Sequence, residues 1–325
     1  MPSLLSPFSP LLCATGLDRI GEYVYYAVIF CDPMTGLALL PASLAPLVRR
    51  AYLSLLFLIG APWLLRWWGF ARFARCFRYY VLQNRTFEMD YPAILRRIRP
   101  RGVLHVGASI AQEAGDYADA GIRRVLWLEA QPALEAPLRR AVAAADARRW
   151  RAPPATPAEG PEVHIAAASD TTGRRVRMVI AGNSISSSLL PLGRGHKTYL
   201  PFIAAVPAAD EACEVETVTI ADLFQRKRID ASALDFMYLD TQGSELAVLR
   251  GCGDELLRGM RAILTEVSTE EHYVGGCTMA ELDAFLGERG FSRTLTHLPA
   301  LGHGNALYVR TTEAASNGAV REKAQ

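Results

Sequence analysis

The sequence predicts an α/β domain: a mostly parallel, twisted sheet with helices on both faces and an antiparallel edge at the C-terminal end. Three observations carry this. Half of the 325 residues are apolar, enough for a sizeable core. From residue 102 onward, short apolar runs alternate with helical stretches, the pattern of a parallel sheet whose crossovers cover both faces. The last two runs, 292–298 and 305–311, stand too close together for a crossover helix, so they read as an antiparallel pair.

The elements follow in order. "GVLHVGA" (102–108) is a strand ending in Gly, and 111–120 is a helix. "RRVLWLEA" (123–130) is the second strand, and 132–146 is an Ala/Leu helix. "RAPPATPAEGPE" (151–162) is a Pro-rich loop. "VHIAAAS" (163–169) and "RRVRMVI" (174–180), joined by "DTTG", read as a hairpin. Residues 183–201 form an irregular polar loop, and "EVETVTIADLF" (214–224) leads from strand into helix. "FMYL" (236–239) is a buried strand that runs through a polar turn into an amphipathic helix, and "MRAILTEVS" (260–268) is the next strand. Thr278, with Glu281 three residues on, marks a helix start.

Charge and hydropathy set the N-terminal region apart. Net charge is +2, which excludes a strong whole-chain attraction to nucleic acid. Residues 49–101, however, hold eleven Arg against Glu88 and Asp90. Within them, "AYLSLLFLIGAPWLLRWWGF" (51–70) approaches membrane-span length, with Pro62 and Arg66 inside it and Trp63, Trp67 and Trp68 near one end. It reads as a span, as an interfacial helix or as a packed helix. The expected organisation is an apolar and basic helical segment over 1–85, the main domain over 86–311, and a disordered tail over 312–325. Six scattered cysteines without a CxxC pair fit a reducing compartment. The expected location is therefore cytoplasmic, with the membrane's cytoplasmic face as the contact for residues 49–80.

In doubly wound folds the ligand lies beyond the C-terminal ends of the strands. After the first strand stands "GASIAQE", where Gly107, Ala108, Ser109 and Gln112 would line a cofactor. This is not GxGxxG, so a pyrophosphate grip is unsupported. The second strand ends at Glu129, 22 residues after Gly107, where a carboxylate can accept from both hydroxyls of a ribose. Ser169 and Asp170, at the third strand end, could contact an adenine amino group, although Asp170 equally suits a cap on the "DTTG" turn. A ribose carboxylate without a phosphate loop points to S-adenosylmethionine.

Taken together, "HVGASIAQ" (105–112), "WLEAQP" (127–132), "SSSLLP" (186–191), "DTQGSELAVLRG" (240–251) and "LTEVS" (264–268) resemble the FkbM family of S-adenosylmethionine-dependent methyltransferases over roughly residues 100–310. The resemblance implies a Rossmann-like class I methyltransferase fold and O-methylation of a hydroxyl on a sugar, glycan or natural product. His105 stands where the family pattern has Asp, and Ala111 where it has Gly.

Methyl transfer to oxygen needs an aligned hydroxyl and a group to take its proton. Asp240, at the end of the central strand, is the first candidate base. Glu266, at the next strand end, is a second. His196, in the polar loop, titrates near neutrality, although a loop histidine can simply be solvated. Glu245 suits either a helix-start carboxylate or a second acid. Ser186, Ser187, Ser188 and Gln242 are candidates to bind a hydroxyl-rich acceptor. Asp240 with Glu266 lacks the third ligand needed to expect a metal. The other reading is a non-catalytic, membrane-associated assembly module that keeps the fold.

Overall fold

The structure is a computed structural model that describes residues 89–149, 160–180, 186–193, 213–298 and 302–311, with single helical positions at Ser54, Leu58 and Ala74. The 51–70 segment apart from Ser54 and Leu58, His196, most of the Pro-rich loop and the tail from Thr312 lie outside the described residues. Among the described residues, no helix is long and apolar enough to cross a membrane. Apart from those three positions, the described residues fall in one compact unit, Glu88–Leu298 with Gly302–Gln325.

The chain runs through α1 (Tyr91–Ile98), β1 (Gly102–Val106), α2 (Ala114–Asp119), β2 (Arg124–Glu129), α3 (Glu135–Arg149), β3 (Glu162–Ile165), β4 (Ala167–Ala168) and β5 (Arg175–Met178). It continues through β6 (Cys213–Val218), α4 (Ile220–Lys227), β7 (Phe236–Leu239), α5 (Glu245–Gly259), β8 (Ala262–Ser268), α6 (Met279–Gly287), β9 (Phe291–His297) and β10 (His303–Arg310). The main sheet has the order β3-β2-β1-β7-β8-β10-β9. Its first five strands are parallel, while β10 pairs antiparallel with both β8 and β9.

Alternation along the strands builds two cores. Leu104, Val106, Leu126, Leu128, Met237 and Leu239 face α4, α5 and α6. Val103, Val125, Trp127 and Phe236 face α1, α2 and α3. Each such buried side chain contributes about 1.5–3 kcal/mol relative to exposure, which makes the central strands the rigid floor of the domain. Local signals fix the helix starts: Thr219 caps α4, and Thr278 with Glu281 forms the expected capping box on α6.

The expected hairpin is corrected. The run 163–169 divides into β3, in the main sheet, and β4, in a small sheet of order β4-β6-β5. β4 and β5 do not pair with each other. Both pair with β6, one parallel and one antiparallel. The physical reason is apolar: Ala167, Met178 and Val215 bury together, which seats β6 between the two shorter strands.

The order reverses between β1 and β7, because the chain runs outward through β2 and β3 before returning to β1's other side. The crevice for a ligand opens there. The crossing is tight. Asp240 N–H donates to the Val106 carbonyl at 3.0 Å, and a Cβ on Gly107 would lie 1.7 Å from the Asp240 carbonyl oxygen. Gly107 also has φ +86, so no other residue fits.

Candidate active site

The loop after β1 is bound to the end of β2. Glu129 is buried, and its two oxygens accept from separate backbone donors, Ser109 N–H at 2.7 Å and Gln131 N–H at 2.8 Å. Burial raises the Glu129 pKa, and those N–H groups oppose the rise. A carboxylate offers about four lone-pair sites, more than these backbone donors fill, and a ribose diol requires such capacity. Ser109 and Ala111 are left-handed, at φ 46 and φ 57, so this loop is wound tightly rather than opening directly into a helix. α2 accordingly starts at Ala114, later than the sequence suggests. Gln112 lies in the same loop.

Beneath the loop sits His105, fully buried and stacked between Trp127 and Tyr238 with ring centroids 4.7 and 4.3 Å away. Tyr91 donates to the Tyr117 hydroxyl at 2.5 Å, and that hydroxyl stands 2.9 Å from His105 Nδ1. Burial pushes the His105 pKa down to about 3, opposed by a hydrogen bond to the Gly107 backbone. The ring is therefore neutral at physiological pH, and its 3.9 Å approach to Glu113 is a dipole contact rather than an ion pair.

On the other side of the crevice, the turn from β7 into α5 organises three carboxylates. Glu245 is buried, and its Oε1 accepts from Thr241 N–H at 2.9 Å and Gly243 N–H at 3.1 Å. It thus folds the turn that precedes its own helix. Gly243, at φ +99, packs beneath Tyr273: a Cβ there would lie 2.9 Å from the ring. Gln242, at φ 56, directs its amide nitrogen between two acids, 2.6 Å from Asp240 Oδ1 and 3.1 Å from Glu266 Oε2. Its amide oxygen accepts from Tyr273 OH at 2.5 Å. One oxygen from each of Asp240, Glu245 and Glu266 lies within 4.8 Å of the others, so the third acid that the sequence argument lacked is Glu245. That set has the chemistry to take a divalent cation, although Glu245 Oε1 already serves the backbone.

Burial raises the Asp240 pKa to about 6; Gln242 opposes the shift, and the charges of Glu245 and Glu129 add to it. Burial, then the charge of Asp240, raises Glu266 well above the usual carboxylate range. Acids this close together resist ionising together. Burial and the neighbouring charges thus push both the Asp240 and the Glu266 carboxyls upward.

The structure brings Gly107, Ala108, Ser109, Gln112 and Glu129 together on one side of the crevice, and Asp240, Gln242 and Glu266 on the other. Ser188 Oγ donates to the Gln242 carbonyl at 2.7 Å and accepts from Leu190 N–H at 3.0 Å, so it ties the serine segment to the turn. Ser186 presents its carbonyl to Tyr273 OH at 3.1 Å. Ser187 is buried beside them. Ser169 and Asp170 follow β4 in the small sheet, and the Asp170 carboxylate accepts from Thr171 Oγ1 and Ser169 Oγ, as a turn cap does. Sequence reasoning missed Tyr273, which carries no periodic signal in "EEHYVGG", and Glu113, hidden at the end of the cofactor loop.

The methyltransferase FkbM domain model matches residues 105–293, more than half of the chain. The chain belongs to the FkbM methyltransferase family. No curated protein sequence matches it. Among solved structures, cofactor-bound Rv0187 from MTB aligns with TM-score 0.36 and 17% identity over 68% of this chain and 78% of that one. The O-methyltransferase from Bacillus cereus in complex with SAH aligns with TM-score 0.39 and 13% identity over 74% and 91%. Both likenesses are remote. Within this FkbM chain, the motif "DTQGSELAVLRG" has a physical reading: Asp240 faces the crevice, Gly243 admits Tyr273, and Glu245 folds the turn.

Proposed function

We propose that this FkbM protein transfers the methyl group of S-adenosylmethionine to a hydroxyl of a sugar, glycan or natural-product acceptor, with Asp240 as the base. One observation carries the reading. At the switch point, Asp240 Oδ1 is held by the Gln242 amide, while Oδ2 has no hydrogen-bond partner among the described residues.

The residues fit this cofactor. A buried carboxylate closes β2, and Gly107 leaves no side chain where β1 meets the β7 turn. No GxGxxG loop is present to hold a pyrophosphate. Glu129 would hold the ribose hydroxyls, with the Gly107–Gln112 loop alongside. When bound, the cofactor supplies a methyl group on a positively charged sulfur.

The chain's own groups then manage the acceptor. Asp240 Oδ2 accepts the hydroxyl hydrogen, orients the oxygen and takes the proton as the new bond forms. Gln242 holds the Asp240 carboxylate in place, and Tyr273 holds Gln242. Glu266, whose carboxyl is pushed upward by burial and by the Asp240 charge, stands beside Asp240 and shares the Gln242 amide with it. A sugar places hydroxyls on adjacent carbons and suits this pair.

The test is a screen of hydroxyl-bearing acceptors with methyl-labelled cofactor. Asp240→Asn is expected to lower the rate by about 10²–10⁴-fold. If no such acceptor is labelled by the wild type, or if Asp240→Asn labels as fast, the reading fails.

A further inference from the structure

The arginines at the C-terminal end of α1 have no role so far. Tyr91, Ile94, Leu95 and Ile98 bury one stripe of the helix, at the i, i+3, i+4, i+7 spacing of a core-facing side. Arg96 and Arg97 lie off that stripe and are exposed, as is Arg99, the left-handed residue that closes the helix. Among the described residues, none of these three side chains forms an ion pair or a hydrogen bond. From Tyr91 to Gln112 the chain holds no acid. Arg101 and Arg261 stand at the same end: both pair with the buried Asp235, and Arg261 donates to the Ile98 carbonyl at 3.2 Å. These five arginines meet one carboxylate, an excess of four positive charges.

They mark the pole of the sheet opposite the crevice. Arg101 precedes β1 and Arg261 precedes β8, whereas Glu129, Asp240 and Glu266 stand toward the other ends of β2, β7 and β8. Charge is thus sorted by pole, with carboxylates around the crevice and unmatched arginines at the far end. Clustered cations suit an extended anionic surface, either lipid headgroups or the phosphates of a nucleic acid. The preceding sequence decides between them. Residues 49–87, which end where this unit begins at Glu88, hold seven arginines and no acid. Interleaved with them are the apolar 51–70 run and Trp63, Trp67 and Trp68. Apolar residues with aromatic and basic flanks are the composition that enters a lipid interface, and a nucleic acid offers such a run no hydrocarbon. We propose that the α1 end of the domain, through Arg96, Arg97 and Arg99, docks on an anionic membrane surface. The crevice then opens away from the lipid. This docking stands independently of the proposed reaction.

The test is co-sedimentation of the full chain with vesicles of phosphatidylcholine alone and of phosphatidylcholine mixed with phosphatidylserine. The wild type is expected to prefer the anionic vesicles, with an affinity that drops as salt rises to about 0.5 M. Each arginine near such a surface is worth roughly fivefold in partitioning, so R96Q, R97Q and R99Q should each lose that much and the triple variant about 100-fold. R174Q/R175Q removes two exposed arginines at β5 and should stay within about twofold of the wild type. A triple variant that binds as the wild type does overturns the proposal, because residues 49–87 would then account for all the lipid contact. An equal loss in the β5 variant overturns it too, since the effect would be one of diffuse charge. Equal wild-type binding to both kinds of vesicle, or tighter binding to a DNA duplex than to the anionic vesicles, rules out the chosen partner.

Discussion

Replacing Asp240 with Asn should stabilise the protein at high pH while removing its activity. The magnitude follows from the carboxyl's environment. Its pKa rises from 3.8 to about 6 on folding, so the folded state binds its proton more tightly than the unfolded chain does. Such a group contributes stability below pH 3.8 and loses it as pH rises through about 6. The full loss is about two pKa units, or ~3 kcal/mol. Solvent reaches this half-buried residue, which makes that figure a ceiling. At pH 4.5 about a third of the loss has already occurred, so between pH 4.5 and pH 8 the wild type should lose at most about 2 kcal/mol that Asp240→Asn keeps. Asn still accepts from the Gln242 amide, and removing the Asp240 charge also relieves Glu266. For a domain of this size, about 2 kcal/mol corresponds to roughly 4–8 °C in Tm. Thermal unfolding of both proteins, followed by circular dichroism at the two pH values with a chelator present, measures the difference. If the Tm advantage of Asp240→Asn is the same at pH 4.5 and pH 8, Asp240 is not a carboxyl destabilised by burial. Its assignment as a tuned base then loses its physical ground.

Three further outcomes are expected. Glu129→Gln keeps the side-chain shape but loses the charged acceptor, and S-adenosylhomocysteine affinity measured by calorimetry should fall at least about tenfold. Gly243→Ala places a methyl group 2.9–3.1 Å from atoms of Tyr273 at φ +99, so chemical denaturation should report a loss of about 1–3 kcal/mol. Tyr273→Phe keeps the ring over Gly243 but leaves the Gln242 amide oxygen without this donor. With an uncharged hydrogen bond worth about 1 kcal/mol and an orphaned acceptor costing up to about 3, kcat should drop roughly five- to hundredfold, while S-adenosylhomocysteine affinity holds.

The alternating pattern made the central strands and their covering helices legible, because burial on both faces demands unbroken apolar runs such as Val125–Leu128 and Phe236–Leu239. Gly107, Glu129 and Asp240 were legible for a related reason: they end those strands, and strand ends surround the switch point. The β4/β5 pairing was not, because β6 arrives 35 residues after β5 and takes both partners. Glu245 read as a helix-start charge. Its reach back to the N–H groups of Thr241 and Gly243 depends on the positive φ of Gln242 and Gly243, a turn shape that spacing does not encode. Tyr273 stands in a loop, and only the folded chain shows its hydroxyl on Gln242.

The three clustered acids meet the cost of burial in different ways, and the difference assigns their roles. An ionised carboxylate loses hydration on burial and must regain hydrogen bonds from the chain. Glu245 regains them from two backbone N–H groups and is thereby committed to the fold. Asp240 and Glu266 share a single amide, which supplies one N–H to each. That leaves Asp240 Oδ2 and Glu266 Oε1 without hydrogen-bond partners among the described residues, beside the crevice where β1 and β7 part. Two acids that served stability alone would be matched by more donors or replaced by apolar residues. The hydrogen-bonding capacity that the chain leaves unused is what an acceptor hydroxyl would satisfy.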